Sequence, residues 1–297
     1  MNGKVFEPNN EQRFQSTLAA PITLTGHGVH SGCPSTLTIS PADSGTGIIF
    51  LRTLPSGGKQ KFCASSAETG STALSTTLGT AEAGVETIEH LMAAIAAYNL
   101  DNLLIEVSAN EVPILDGGAS SYCNAFDKAG IVRQKKQRDY YVITKPVRVE
   151  SANGFAEFQP FEGRRFDVEI EFSTPIIGKS RIVFDLEPQK FKDEISKART
   201  FGFLKDVETL WAAGMALGSS LENSIVIGGD DKVINPAGLN YENEFVRHKL
   251  LDAIGDTALL GGPFIGMFRS FRGGHALNAR LVKTLLENRK AYEIKSF

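Results

Sequence analysis

The sequence is poor in cysteine and tryptophan, and it lacks any long hydrophobic run. Its 297 residues include 3 cysteines and 1 tryptophan. The cysteines are odd in number and far apart, which excludes a disulfide framework and a thiolate zinc site. The sequence has no run of about 18 apolar residues, which is the length that a membrane-spanning helix needs. The first fifteen residues are polar and lack the apolar centre of a signal peptide. We therefore expect a cytoplasmic protein without stable membrane insertion, in which any metal is bound by His and carboxylate.

An excess of positive charge is also absent. Lys and Arg total 31 against 34 Asp and Glu, which gives a formal net charge of −3. Nucleic-acid-binding domains usually carry a basic surplus, so we expect no nucleic-acid partner. The hydrophobic fraction of 42% is typical of a globular protein, and the length is sufficient for two hydrophobic cores. We expect a monomer of two domains.

Hydrophobic periodicity predicts that strands precede helices in each half of the chain. In the first half, strands are predicted at 21–25, 35–39, 47–52 and 102–107, and helices at 85–98 and 120–128. In the second half, strands are predicted at 140–150, 154–158, 166–172, 181–184, 223–228 and 263–271, and helices at 191–199, 207–213, 244–256 and 276–289. This order favours an α+β fold over the strict alternation of a doubly wound sheet.

Two polar segments interrupt this pattern. The charged segment 132–139 is predicted to be a linker, with a solvated loop inside one domain as the alternative, and domains of 1–137 and 138–297 follow. The glycine-rich segment 26–32 lacks the Lys-Ser/Thr of a phosphate-binding loop and is predicted to be a tight hairpin turn. His27 and His30 in this turn are expected to be exposed, with metal ligation as the alternative.

A possible metal site begins with His248 and Asp252. They are four residues apart in a predicted helix, so both side chains lie on one face and can converge on an ion. Glu89 and His90 form a second pair, because a carboxylate beside a ligand can take a proton from water that a metal has activated. Each pair also occurs by chance on an amphipathic helix surface, so neither is decisive alone.

Two further positions suit acyl chemistry. His275 follows two glycines at a predicted strand-to-helix junction. A hydrogen bond from its imidazole to the Asp256 carboxylate would favour the protonated form, which suits donation to a leaving amine. Thr200, predicted at a helix end, has a hydroxyl that could stabilise an oxyanion, with local capping as the alternative.

Five ordered motifs in this sequence resemble those of the UDP-3-O-acyl-N-acetylglucosamine deacetylases, the zinc amidohydrolases of lipid A synthesis in Gram-negative bacteria. The motifs are Thr87 to Leu91, Asn110 to Gly117, Ala198 to Gly202, His248 to Asp256 and Gly273 to Asn278. The resemblance implies two similar two-layer α/β sandwich domains with the active site between them. It also implies an insert in each domain, near 56–80 and near 203–228.

The resemblance implies a site with divided roles. Zinc, with Fe²⁺ as the alternative ion, would be bound by His90, His248 and Asp252. Glu89 would be the general base, Thr200 and Lys249 would stabilise the oxyanion, and His275, oriented by Asp256, would protonate the amine. The reaction would remove the N-acetyl group of a UDP-activated, 3-O-acylated N-acetylglucosamine, releasing acetate.

The resemblance also implies contacts for the rest of the substrate. Arg272 and Lys145 are candidates for the pyrophosphate. A stripe in the second insert would line an acyl passage, although plain core is the alternative; it comprises Leu204, Val207, Trp211 and Met215. Ser75 replaces a Cys of several relatives, so we expect weaker inhibition by a second metal ion.

Two other functions stay open at the level of sequence. A metallopeptidase could use the same ions, but the His-Glu-x-x-His motif is absent from the sequence. A binding module could keep the fold without chemistry and hold a nucleotide sugar in its cleft. Metal analysis and a peptide-cleavage assay distinguish these functions from a sugar deacetylase.

Overall fold

A computed structural model describes residues 12–297, so the polar segment 1–11 lies outside the described part. The first half begins with five strands, β1 (Phe14–Leu18), β2 (Ile22–His27), β3 (Pro34–Pro41), β4 (Ile48–Thr53) and β5 (Lys59–Cys63). It continues with α1 (Glu89–Ala97), β6 (Leu103–Val107), α2 (Ser120–Ala129) and β7 (Ile131–Gln137). Strands β2 to β6 form one sheet in the order β2-β3-β6-β4-β5, in which β4 and β6 are parallel.

The second half contains nine strands and four α-helices within the described residues. They are β8 (Asp139–Ile143), β9 (Val147–Glu150), β10 (Phe155–Gln159), β11 (Arg164–Glu171), β12 (Lys179–Asp185), α3 (Pro188–Glu194), β13 (Thr200–Phe203), α4 (Val207–Ala212), β14 (Ser224–Ile227), α5 (Glu244–Thr257), β15 (Phe264–Phe271), α6 (His275–Glu287) and β16 (Tyr292–Ser296). Seven of these strands form a sheet in which β11 and β15 are parallel, and α5 and α6 pack against it. Strands β13 and β14 form a separate two-stranded parallel sheet, and α4 lies between them in the sequence.

Helices α1 and α5 join the two halves. Both are buried along almost their whole length; α1 is apolar or small after His90, whereas α5 buries His248, Asp252 and Asp256 among its apolar residues. Gly255 permits their close approach, because a Cβ atom added there would lie 2.0 Å from the carbonyl oxygen of Glu89. Any larger residue at 255 would therefore push apart the two helices that carry the candidate metal ligands.

The α+β class is confirmed, whereas several predicted element boundaries are wrong. The segment predicted as a linker or loop is largely strand β7, which pairs with β1; its polar, exposed face concealed the strand. The predicted helix 85–98 begins only at Glu89, since residues 85 and 86 form isolated bridges. The predicted helix 191–199 spans 188–194, so Thr200 opens strand β13 instead of ending a helix. The domain limits themselves stay a prediction.

Candidate metal centre and active site

Three buried side chains from α1 and α5 converge between the two halves. The Nε2 atom of His90 lies 3.5 Å from Oδ1 of Asp252, and Nε2 of His248 lies 3.4 Å from the same oxygen. One ligand atom from each residue lies within 4.8 Å of the other two. The structure thus joins the His248 and Asp252 pair with His90, which is more than 150 residues away in the sequence.

The donor set fits a divalent transition metal. Oδ1 of Asp252 is buried without a hydrogen-bond partner, as is Nδ1 of His90. Burial lowers the pKa of His248 to about 3, so its imidazole is neutral. Its Nδ1 donates to the carbonyl oxygen of Ala198 at 3.0 Å, which leaves Nε2 as a lone-pair donor. Two imidazoles and one carboxylate are a ligand set that catalytic zinc commonly takes.

Glu89 lies beside this set at the first turn of α1. Its Oε2 accepts a hydrogen bond from the backbone N–H of Thr76 at 3.0 Å, and its Oε1 lies 4.0 Å from Nε2 of His275. Burial raises the pKa of the Glu89 carboxyl above its ordinary value. A carboxylate that binds protons more readily is a better general base near neutral pH.

His275 begins helix α6, as the two preceding glycines suggested. Its Nδ1 donates to Oδ2 of Asp256 at 3.0 Å, and Asn278 donates to the same oxygen at 2.9 Å. Burial alone would lower the pKa of His275, but the Asp256 carboxylate outweighs it and raises the pKa to about 9. The imidazole is therefore protonated at neutral pH, with Nε2 directed toward Glu89.

Thr200 and Lys249 line the cavity that contains the metal-ligand set. The Lys249 ammonium donates to Oδ2 of Asp252 at 2.9 Å and lies 5.6 Å from the centre of the Phe201 ring. Burial opposes its charge, but Asp252 outweighs burial and raises the pKa of Lys249 above its ordinary value. Burial would raise the pKa of the Asp252 carboxyl, but the ion pair with Lys249 holds that pKa well below its usual range.

An apolar cavity of about 420 Å³ extends from this centre. Three members of the predicted stripe line it, Leu204, Val207 and Trp211. Met215 is not among the lining residues, because α4 ends at Ala212 and the left-handed Gly214 turns the chain before Met215. The lining adds Leu210, which the stripe did not include.

The two predicted phosphate-binding residues lie apart from this cavity lining. Lys145 is exposed in the connection between β8 and β9, not within a strand as predicted. Arg272 follows β15 and lies 3.3 Å from Glu171, which is also on the surface. Their roles stay predictions.

Three residues near the centre were missed or undervalued from the sequence. The Thr76 hydroxyl donates to Oδ1 of Asp256 at 2.6 Å, so Thr76 contacts both Glu89 and Asp256. Glu111 is fully buried and accepts hydrogen bonds from the backbone of His30 and Ser31 and from the Thr87 hydroxyl. It thereby holds the turn 26–32 so that His30 lines the cavity, whereas His27 is exposed as expected. The acidic motif from Asn110 to Gly117 could have indicated Glu111 from the sequence, whereas no motif indicated Thr76.

Comparisons with known proteins agree with this site. The model of the family described as LpxC, UDP-3-O-acyl N-acetylglycosamine deacetylase, matches residues 15–287. Relatives from Brucella ovis, Brucella abortus and Brucella melitensis are each named UDP-3-O-acyl-N-acetylglucosamine deacetylase. Each is 50% identical over 281 residues, which covers 95% of this chain and 98% of the relative. The chain therefore belongs to the UDP-3-O-acyl N-acetylglycosamine deacetylase family.

Proposed function

We propose that the chain removes the N-acetyl group from a UDP-3-O-(3-hydroxyacyl)-N-acetylglucosamine, giving the free amine and acetate, the committed step of lipid A biosynthesis. The observation that carries the proposal is the position of Glu89 and His275, 4.0 Å apart, beside a metal-ligand set at one end of an apolar cavity. A base and an acid at this separation can act on opposite sides of one amide carbonyl.

His90, His248 and Asp252 would hold a single Zn²⁺ ion, with Fe²⁺ as the alternative. Bound there, the ion would polarise the amide carbonyl and make a water molecule more acidic. Glu89 takes the proton of the attacking water, and its backbone hydrogen bond from Thr76 fixes the carboxylate. Because the site is buried, few other waters compete for this proton.

The charge that develops on the carbonyl oxygen is stabilised by Thr200 and Lys249, which line the same cavity. His275 then gives the proton on Nε2 to the nitrogen as the C–N bond breaks. Asp256 keeps the other ring nitrogen hydrogen-bonded, so the ring orientation is fixed throughout. The acyl chain occupies the cavity beside Leu204, Val207 and Trp211, while Lys145 and Arg272 serve the pyrophosphate.

The protein acts in this proposal as a cytoplasmic monomer. No helix among residues 12–297 is long and apolar enough to cross a membrane. The substrate's nucleotide and sugar are polar, so only the acyl chain needs the apolar cavity.

Replacing Glu89 by Gln tests the proposal. The amide keeps the size of the side chain and removes the base, so we expect kcat to fall by about 10²-fold or more while one zinc per chain is retained. Deacetylation of the UDP-acyl-sugar and metal content are measured together. The control is Glu82→Gln, a surface change, which should leave both unchanged.

Near-normal turnover by the zinc-loaded Glu89→Gln protein would refute the role of Glu89. Cleavage of peptides but not of the acylated sugar by the wild type would instead favour a metallopeptidase. Absence of bound metal and of both activities would favour a binding module.

A further inference from the structure

A second cavity lies at the junction of the two halves, away from the metal centre. Its volume is about 310 Å³, and its lining shares no residue with the metal-site cavity. The first half contributes the beginning of β4 and the C-terminal parts of α1 and β7, and the second half contributes the beginning of β11 and the segment before β15. Nothing in the proposed catalytic reaction uses this cavity.

Arg164, at the start of β11, lines this cavity without an acidic partner. Its only side-chain hydrogen bond within residues 12–297 runs from a terminal nitrogen to the carbonyl oxygen of Ala96, at 3.2 Å. Its Nε atom is buried and has no partner. Burial lowers the pKa of the guanidinium to about 10, and the nearby Arg138 adds to this effect. The residue as a whole is half-buried, and a guanidinium that is partly removed from water is destabilised unless an anion accompanies it.

No other charged group of the lining pairs with Arg164. Arg138 is already paired with Asp101, at 2.6 to 2.8 Å. Asp139 accepts a hydrogen bond from the Ser296 hydroxyl, and Lys136 makes no ion pair with any residue that the structure describes. The lining thus carries three cations, at 136, 138 and 164, against two carboxylates, at 101 and 139, a surplus of one positive charge.

The remainder of the lining combines polar side chains, among them Gln15, Ser65 and Asn102, with an apolar wall. The apolar wall includes Ile49, Met92, Ile95 and Pro263. A cavity that has an apolar wall and one half-buried cation without an acidic partner suits a ligand that has an anionic head and a short hydrocarbon body. We propose that this junction cavity is a binding site for a small amphipathic anion, whose carboxylate or phosphate head pairs with Arg164 and whose hydrocarbon part packs against the apolar wall.

Such a ligand would contact both halves of the protein without touching the metal ligands. Met92 lies one turn beyond Glu89 on α1, and Ala258, another lining residue, directly follows α5. A ligand that contacts both places would bind only when the two halves are packed together. It would therefore stabilise the native junction by mass action.

Isothermal titration of the zinc-loaded protein with hexyl phosphate and hexanoate tests this proposal. We expect saturable binding with a Kd on the order of 1 mM or tighter for at least one of these anions, given their size. The anion that binds more tightly shows whether the site prefers a phosphate or a carboxylate head. Neutral 1-hexanol and inorganic phosphate, which each lack one half of the recognised chemistry, should bind at least about 10-fold more weakly.

The matched variants are Arg164→Gln and Arg165→Gln, adjacent on one strand. Arg165 pairs with Asp185, does not line the cavity and serves as the control. We expect Arg164→Gln to weaken anion binding at least about 10-fold, and Arg165→Gln to leave it unchanged. If Arg164→Gln fails to fold, Lys136→Gln, an exposed change, should weaken binding several-fold.

Trp211 fluorescence distinguishes binding in the junction cavity from binding in the acyl passage. This residue is the only tryptophan and lines the metal-site cavity, so its fluorescence should stay constant while the junction cavity fills. The proposal is overturned if neither anion saturates the protein by about 20 mM. It is equally overturned if 1-hexanol binds as well as the anions, if the soluble Arg164→Gln protein or its Lys136→Gln substitute binds like the wild type, or if Trp211 fluorescence follows the titration.

Discussion

The metal centre and the apolar passage are adjacent parts of one cavity, but they are built differently. The centre stands on the nine-residue α1 and the fourteen-residue α5, which pack against each other, and His248 is only 2% exposed. The passage stands on the six-residue helix α4 and short strands, with Leu204 49% and Trp211 56% exposed. The catalytic groups of the centre are thus fixed by burial and by hydrogen bonds, whereas the side chains of the passage wall have few packing constraints.

The burial and rigidity of the two parts indicate where substitutions should have large effects. Rigid, desolvated groups act on the transition state directly, and small errors in their geometry cost large factors in rate. Exposed apolar side chains contribute binding through area alone, so each substitution should have a modest effect. The expected effects should therefore fall steeply from the centre to the passage.

Removal of a metal ligand should have the largest effect. His90→Ala is suited to this test, since Nδ1 of His90 has no hydrogen-bond partner and truncation breaks no hydrogen bond that the structure describes. We expect loss of bound zinc and a fall in activity of at least about 10³-fold. Metal content after dialysis and kcat are the measurements, with Asp193→Asn, a surface change, as the control. Zinc retention with normal turnover would contradict the ligand assignment.

The pH profile should respond next. Because the pKa of His275 is raised to about 9, kcat/KM should fall as pH rises through about 9 and the acid loses its proton. At low pH, activity should fall as Glu89, whose pKa is raised, becomes protonated. Asp256→Asn removes the carboxylate that opposes burial at His275. We expect the alkaline decline to begin at least about one unit lower, with the maximal rate reduced about 10²-fold.

The comparison profile is that of His275→Gln, which should lack the alkaline decline altogether at a similarly low rate. Should the Asp256→Asn profile decline at the wild-type pH, Asp256 would not control the proton on His275.

The centre was largely predictable from the sequence, and the passage was predictable in part, since three of the four stripe residues line the cavity. His248 and Asp252 could be paired because helical spacing alone puts them on one face. Met215 was misplaced because the helix spacing was extended through a turn that begins after Ala212. Strand β7 was missed because a two-stranded, exposed pair needs no apolar alternation. Local rules therefore sufficed only where burial imposed the periodicity on which they depend.

Thr76 tests a part of the centre that spacing could not predict. Thr76→Val keeps the shape and the backbone hydrogen bond to Glu89 but removes the hydroxyl donor to Asp256. A hydrogen bond to a charged group is worth about 1.5 to 3 kcal/mol, and we expect kcat about 10-fold lower. Thr76→Ser should restore most of the rate, and the alkaline decline should shift only in the valine variant. An unchanged profile with a reduced melting temperature would indicate a purely structural role.

The smallest effect should arise in the passage, at Trp211. Its indole lines the cavity and donates to the carbonyl oxygen of Ala216 at 3.3 Å, so Trp211→Ala widens the wall without touching a metal ligand. We expect the kcat/KM ratio between longer and shorter acyl chains to change by roughly 3- to 10-fold in favour of the longer, with zinc content constant. Met215→Ala is the matched control, because Met215 does not line the cavity and should leave the ratio unchanged. Equal ratios in the wild type and in Trp211→Ala would mean that the exposed wall does not select the chain, and that selection lies closer to the buried centre.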